Sequence, residues 1–196
     1  MSTPISTPPD ALVIAQTQAW VNRAVVGLNL CPFARAVQVK NQIRYVVSRA
    51  TDADDLLTLL CDELQWLAEA DPAQAETTLI VHPQVLNDFA DYNDFLDAAE
   101  AAVDQLGLEG VLQVASFHPQ YQFAGTDADD ITNATNRSPY PTLHLLREES
   151  IDRAVAAFPQ AEAIYENNIQ TLEKLGPAGW QALQVQCRRD AEESAF

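Results

Sequence analysis

From Thr51 to Asn136 the chain holds no lysine and no arginine. Cations are scarce throughout: 11 Lys and Arg stand against 28 Asp and Glu, a formal charge of −17 at pH 7. Nucleic acid is therefore not expected as a partner, because contacting phosphates requires a basic surface. The cation-free stretch reads as helices with a solvated acidic face. Arg23, Arg35, Lys40, Arg44 and Arg49 lie upstream of it, and Arg137, Arg147 and Arg153 lie downstream. Cations kept in so acidic a chain are the places to look for an anion site.

Cysteine is rarer still. Cys31, Cys61 and Cys187 lack the paired spacing of a disulfide framework or a zinc site. There is no apolar run long enough to span a membrane and no signal-peptide pattern. The expectation is a cytoplasmic protein with reduced thiols and no membrane partner. Glycine is also sparse, at 6 residues, and no glycine-rich phosphate loop follows any expected strand. That weighs against nucleotide binding by this route.

What is present reads as one α/β domain over residues 10–196, behind a polar, proline-rich flexible tail of residues 1–9. Thr7-Pro8-Pro9-Asp10 has the composition of a helix start, with Thr7 as cap, and the helix should run to about Leu28. Pro32 then breaks it. Ala36–Lys40 and Ile43–Ser48 flank Asn41-Gln42 as the two arms of a hairpin that lacks the usual turn glycine. Helices are expected over Asp52–Glu69 and Asp88–Leu106, the second stopped by Gly107. Thr77–Val81 and Val111–Phe117 read as buried parallel strands, each closed by a His-Pro pair. Thr142–Arg147 follows a long loop with no crossover helix, so it should run antiparallel at an edge. Further helices should span Ser150–Phe158 and Pro159–Leu175, with a last one from Trp180. The fold class is thus an α/β sandwich of two or three layers. Its sheet is mixed and mainly parallel, with four to five strands, an antiparallel edge strand, and N- and C-terminal helices.

Between His118 and His144 lie about twenty residues almost free of aliphatic side chains, and long irregular segments inside a domain are more often functional than idle. His82 and His118 each close a parallel strand and His144 opens the returning one. All three should therefore meet at the carboxyl edge of the sheet, where open α/β sheets bind ligands. With the hairpin in place, Cys31 and Arg35 would reach the same edge. Cys31 is then either a buried, inert thiol or a nucleophile made reactive by a neighbouring cation. His118 is the better base, whereas His82 suits a hydrogen-bonded strand end. His144 is either a catalytic partner or a satisfied polar side chain between sheet and helix. Arg137, in a loop stiffened by Pro139 and Pro141, suits two-pronged recognition of a carboxylate or phosphate. An ion pair with Asp127, Asp129 or Asp130 is its alternative use. Those aspartates lack the glycine and glutamate of a calcium loop and suit capping of a short helical turn.

Three segments, Leu28–Ala34 (LNLCPFA), Phe117–Phe123 (FHPQYQF) and Asn136–Glu148 (NRSPYPTLHLLRE), resemble the bacterial domain-of-unknown-function family numbered 1415. The resemblance spans nearly the whole chain. It implies no reaction or cofactor, only that these segments are the family's hallmarks.

The favoured functional expectation is an enzyme acting on a small anionic molecule. Cys31, His118 and His144 would be the catalytic residues, while Arg35, Tyr121, Asn136, Arg137, Tyr140 and Arg147 would bind substrate. One alternative is a zinc or iron site built from His118 and His144 with Cys31 or a loop aspartate, a reading without any short ligand pair. The other is a non-catalytic adaptor that presents the loop to a partner.

Overall fold

A computed structural model describes residues 8–157 and 163–194. Most of the tail, the Thr7 cap, Phe158 and the helix start at Pro159 lie outside the described residues. The chain enters through α1 (Asp10–Trp20), which continues without a break into a π-helical segment (Val21–Val26). Residues 27–33 then lead into α2 (Ala34–Val39). The order continues as β1 (Ile43–Val47), α3 (Ala53–Glu69), β2 (Thr77–Val81), α4 (Phe89–Gln105) and β3 (Leu112–Phe117). A 3-10 helix (Ile131–Asn136) interrupts the long loop before β4 (Thr142–Arg147), α5 (Glu148–Ala157) and α6 (Ile164–Ser194). Gly176, at a left-handed φ of 68°, breaks α6 into two helices just before Pro177, close to the expected break.

The four strands form one mixed sheet in the order β1-β2-β4-β3. β1 and β2 are parallel, and β4 is antiparallel to both β2 and β3. The α/β class, the four-stranded sheet and the terminal helices all match expectation. Three details are corrected. The pairing is not mainly parallel: β1 with β2 is the one parallel pair of the described sheet, and β3, expected as a parallel strand, pairs with antiparallel β4, because β4 returns between β2 and β3.

β4 is not an edge strand. It lies between β2 and β3, with Thr142, Leu143 and Leu145 buried. Its run of apolar residues on both sides of His144 is what an interior strand requires, and the long loop lets it return between two strands already placed.

The hairpin is also absent. Ala36–Val39 belongs to α2, and Asn41 turns the chain at a left-handed φ of 54° into β1. Ala-Arg-Ala-Val-Gln is a good helix-forming run, and alternation over five residues does not separate strand from helix.

Successive side chains alternate between the two faces of the sheet, and each face has its own core. On one face, Ile80, Leu143, Leu145 and Leu112 pack with Leu56, Leu60, Leu64 and Leu67 of α3 and with Tyr92, Phe95, Ala99 and Val103 of α4. On the other, Leu79 and Phe117 pack with Trp20, Val21, Ala24, Leu30, Leu172 and Trp180. Asp52 and Asp88 start α3 and α4 by accepting backbone N–H bonds, the Asp52 carboxylate from Asp55 and the Asp88 carboxylate from Ala90. Gly107, at φ 67°, provides the left-handed stop after α4.

Candidate functional site

His82 and His118 reach the same edge of the sheet, on the face covered by α4. Both are fully buried, and Tyr92 stands between them with ring centroids 5.7 Å from His82 and 5.0 Å from His118. The Tyr92 hydroxyl donates to the Thr142 carbonyl at 2.8 Å, which ties α4 to the start of β4. Phe89 closes the cluster, 5.3 Å from the His118 ring and 5.2 Å from Tyr121.

Hydrogen bonds fix the role of His118. Its Nδ1 accepts from the Gln120 N–H at 3.0 Å, so Nε2 carries the proton, which goes to the Leu86 carbonyl 3.2 Å away. Its backbone N–H donates to Asn136 and its carbonyl accepts from Tyr121, each at 3.1 Å. Burial pushes the imidazole below its ordinary range, with the Leu86 carbonyl and the Asp88 carboxylate opposing. His118 is therefore a neutral staple joining the β2–α4 loop to the loop after β3, and neither nitrogen is spare for proton transfer. His82 differs. Its Nδ1–H donates to the Val85 carbonyl at 3.0 Å, while Nε2 is buried without a partner among the described residues. Burial pushes this imidazole down to about 4.

His144 does not join them. It is paired with Leu79 and Ala115 in mid-sheet, two residues inside the edge, and shares its face with Phe117, whose ring lies 5.8 Å away. That is the α1/α6 face, opposite His118. Thr77 Oγ1 donates to the Leu145 carbonyl at 2.6 Å and lies 2.7 Å from His144 Nε2. The threonine proton is thus spent, and Nε2–H is the donor to the hydroxyl. Surrounding protein pushes His144 down to about 4, yet part of the residue still meets solvent. The expected cleft shared by His118 and His144 is not formed, because strand alternation turns a mid-strand residue and a post-strand residue to opposite faces.

The loop from His118 to Pro141 is held by its own polar groups. Asn133, fully buried, accepts the Phe123 N–H at 2.9 Å and donates to the Asp127 carbonyl at 2.8 Å. Asp130 caps the 3-10 helix through the N–H and hydroxyl of Thr132, at 2.9 and 2.7 Å. Asn136 Nδ2 donates to the Ser116 carbonyl at 3.2 Å, so its side chain braces β3 rather than facing a ligand. The Tyr140 hydroxyl is bonded to Gln16 of α1. Arg137 is half-buried. Its Nε donates to the Tyr121 carbonyl at 3.2 Å and Nη2 to the Ala128 carbonyl at 2.6 Å. No carboxylate among the described residues lies within ion-pair distance of it. Burial pushes its pKa down, with the field of Asp130 opposing.

Three other expected site residues lie elsewhere or lack the required surroundings. Cys31 follows the π-helical segment, and burial pushes its thiol up rather than down, with only the backbone of Phe33 and Ala34 opposing. No histidine or arginine contributes. Arg35 is exposed on α2 and makes no hydrogen bond or ion pair among the described residues. Arg147 ends β4 at the opposite edge of the sheet. Its Nη2 donates to the carbonyls of Leu67, Ala70 and Ala75 at 2.7, 2.8 and 3.2 Å, closing the C-terminus of α3. It is a helix cap, not a substrate clamp.

Among the described residues no group of three or more His, Cys, Asp or Glu could hold a metal ion. The expected set of His118, His144 and Cys31 is split by the sheet. No helix of the described residues is long and apolar enough to cross a membrane. Two shallow clefts, of about 330 and 380 Å3, lie between the α1/π-helical segment and α6, around Asn22 and Arg23 and away from the histidines.

Sequence reading missed the roles of Asn133 and Tyr92. Asn133 gives a signal only as an amide inside a polar loop, and Tyr92 only as a tyrosine one helical turn before Phe95. A family model described as a protein of unknown function (DUF1415) matches residues 12–182. Neither the curated proteins nor the solved structures contain a match.

Proposed function

The chain belongs to the DUF1415 family of proteins of unknown function, and from that premise we propose that it binds a small anionic molecule at the loop between β3 and β4, through Arg137. One observation carries this reading. Arg137 is a half-buried guanidinium with no carboxylate partner among the described residues, in a chain where acids outnumber bases 28 to 11. Two carbonyls hold its Nε and Nη2 sides and thereby fix its plane, while Nη1 has no partner among the described residues and keeps two donors for a ligand. Desolvation, only partly offset by the field of Asp130, disfavours the cation. A bound carboxylate or phosphate would relieve that penalty, and the braced loop removes backbone freedom that binding would otherwise cost.

The catalytic half of the expectation has no comparable support. His118 has both nitrogens on backbone groups, His144 is on the other face, and Cys31 has a raised thiol pKa. The reading is therefore ligand binding, with chemistry left to whatever the ligand itself requires.

Titration of phosphate, acetate and succinate into the protein and its Arg137→Lys variant, at low and then physiological salt, tests it. Lysine keeps the charge but not the planar fork, so the variant should lose at least about 1.4 kcal/mol of binding, a tenfold weakening. Equal affinities for the two proteins would remove Arg137 from the site. Arg35→Lys, on exposed α2, is the control expected to leave binding unchanged.

A further inference from the structure

We infer that the free edge of β3 docks an extended, cationic segment of a partner protein, which adds to the sheet as a further strand. The ladder decides which backbone groups are free. The Val111 carbonyl accepts from the Glu148 N–H, so residues 111, 113, 115 and 117 point towards β4, whereas 112, 114 and 116 point away. At one end of the outer edge the Leu112 N–H is taken by the Leu108 carbonyl. At the other, Asn136 takes the Ser116 carbonyl with its side chain and the His118 N–H with its own carbonyl. Between these stoppers the Leu112 carbonyl, both backbone groups of Val114 and the Ser116 N–H have no protein partner among the described residues. Exposure agrees: β2, inside the sheet, is buried along its whole length, while in β3 only Leu112 is.

An open edge is a template for another strand, and charge selects which strand. The elements bounding this edge carry Asp97, Glu100 and Asp104 on α4, Glu109 before β3 and Glu148 at the start of α5. None of these five makes an ion pair among the described residues, and no lysine or arginine stands between Thr51 and Asn136 to offset the first four. Near Glu148 the Arg153 guanidinium is taken by Glu76 and Glu149, while Arg147 is taken by backbone carbonyls. A second copy of so acidic a chain would be repelled at this edge, whereas a segment alternating lysine with apolar residues would be attracted.

The probe is a blocked hexapeptide alternating lysine and valine, added to the full chain, with amide exchange followed at Val114 and Ser116. Binding should weaken with salt and slow exchange at those two amides. A peptide N-methylated at alternate amides, with the same charge but half the donors, should bind tenfold or more weakly. Val114→Pro, which removes an outward N–H without touching the β4 ladder, should have the same effect. If that variant fails to fold, the N-methylated peptide alone decides. Equal binding of both peptides would reduce the effect to general charge attraction and overturn the proposal. So would protection elsewhere than β3, or a dimer of the chain that protects the same amides without peptide.

Discussion

Arg44 on β1 holds Glu63 on α3 through two parallel hydrogen bonds of 2.9 and 3.0 Å. The guanidinium also lies over the Trp66 ring, 4.1 Å from its centroid. This pair fastens an edge strand to the helix that covers it, and its two halves are unequally buried. The Glu63 side chain is 9% exposed and that of Arg44 37%.

The asymmetry predicts unequal costs. Arg44→Met strands a buried carboxylate and should destabilise the fold by about 3 kcal/mol. Glu63→Gln keeps an acceptor and leaves a cation that water can reach, so about 1 kcal/mol is expected. Urea unfolding of both variants at neutral pH checks this. Equal losses would mean that the carboxylate is less buried than its surroundings indicate.

The buried histidines predict a loss of stability in acid with a definite window. His82 and His144 are pushed down to about 4 in the folded protein. Unfolded, they titrate near 6.5, so between the two values the unfolded chain binds more protons. Their contribution is complete above about 6.5, shrinks as pH falls, and stops changing below about 4. Each site adds a slope of up to about 1.4 kcal/mol per pH unit. Acidification also lessens the repulsion among carboxylates, so the wild-type curve alone does not isolate the histidines. Unfolding free energies at pH 7 and pH 4.5 should be compared between the wild type and the His82→Phe and His144→Gln variants. The wild type should lose more than either variant on acidification; parallel losses would refute neutral burial.

Much of the fold was legible because it rests on patterns of period. Leu56, Leu60, Leu64 and Leu67 recur at helical spacing, and Thr77–Val81 is an unbroken buried run. Asp52, Asp88 and Gly107 are local signals with local causes. The failures arose where tertiary context decides. Ala36–Val39 satisfies both a strand and a helix pattern, and only the turn at Asn41 resolves it. The place of β4 depends on where a long loop passes, which no residue of the strand encodes. His82 and His118 do lie at the carboxyl edge, but His144 was expected there and instead pairs with Leu79 and Ala115 in mid-sheet, facing the other way.

Cys31 gives a simple check on the site. Burial pushes its thiol up, and no cation is near enough to counter this. In the folded protein iodoacetamide should label it slowly at pH 7, with half-titration above the free-thiol value of about 8.5. Mass-spectrometric peptide mapping against pH would show this. Rapid labelling at neutral pH would restore Cys31 as a reactive residue and reopen the enzyme reading.

The long loop should depend on Asn133 more than on any of its charges. Asn133 is fully buried, and its amide serves both halves of the loop, the Phe123 N–H before the 3-10 helix and the Asp127 carbonyl within the acidic run. The Thr126 hydroxyl lies 2.8 Å from the same Asn133 oxygen. Asn133→Ala deletes these partners and leaves buried backbone groups unpaired, so a loss of about 3 kcal/mol is expected. Asn133→Asp is a sharper test, because it conserves shape and acceptors. It places a buried negative charge against the Asp127 carbonyl and removes the only donor, so it should destabilise at least as much as alanine at pH 7. Part of that deficit should return near pH 4, where the carboxyl group can be protonated and donate. The consequence should reach the proposed anion site. Ala128, one residue beyond Asp127, supplies a carbonyl that orients Arg137. Both variants should therefore weaken phosphate binding even where they remain folded. Phosphate titration at a temperature well below the variants' unfolding midpoints separates this from global unfolding. Unchanged affinity in a folded Asn133→Ala variant would show that Arg137 needs no braced loop, and the preorganisation argument would fall with it.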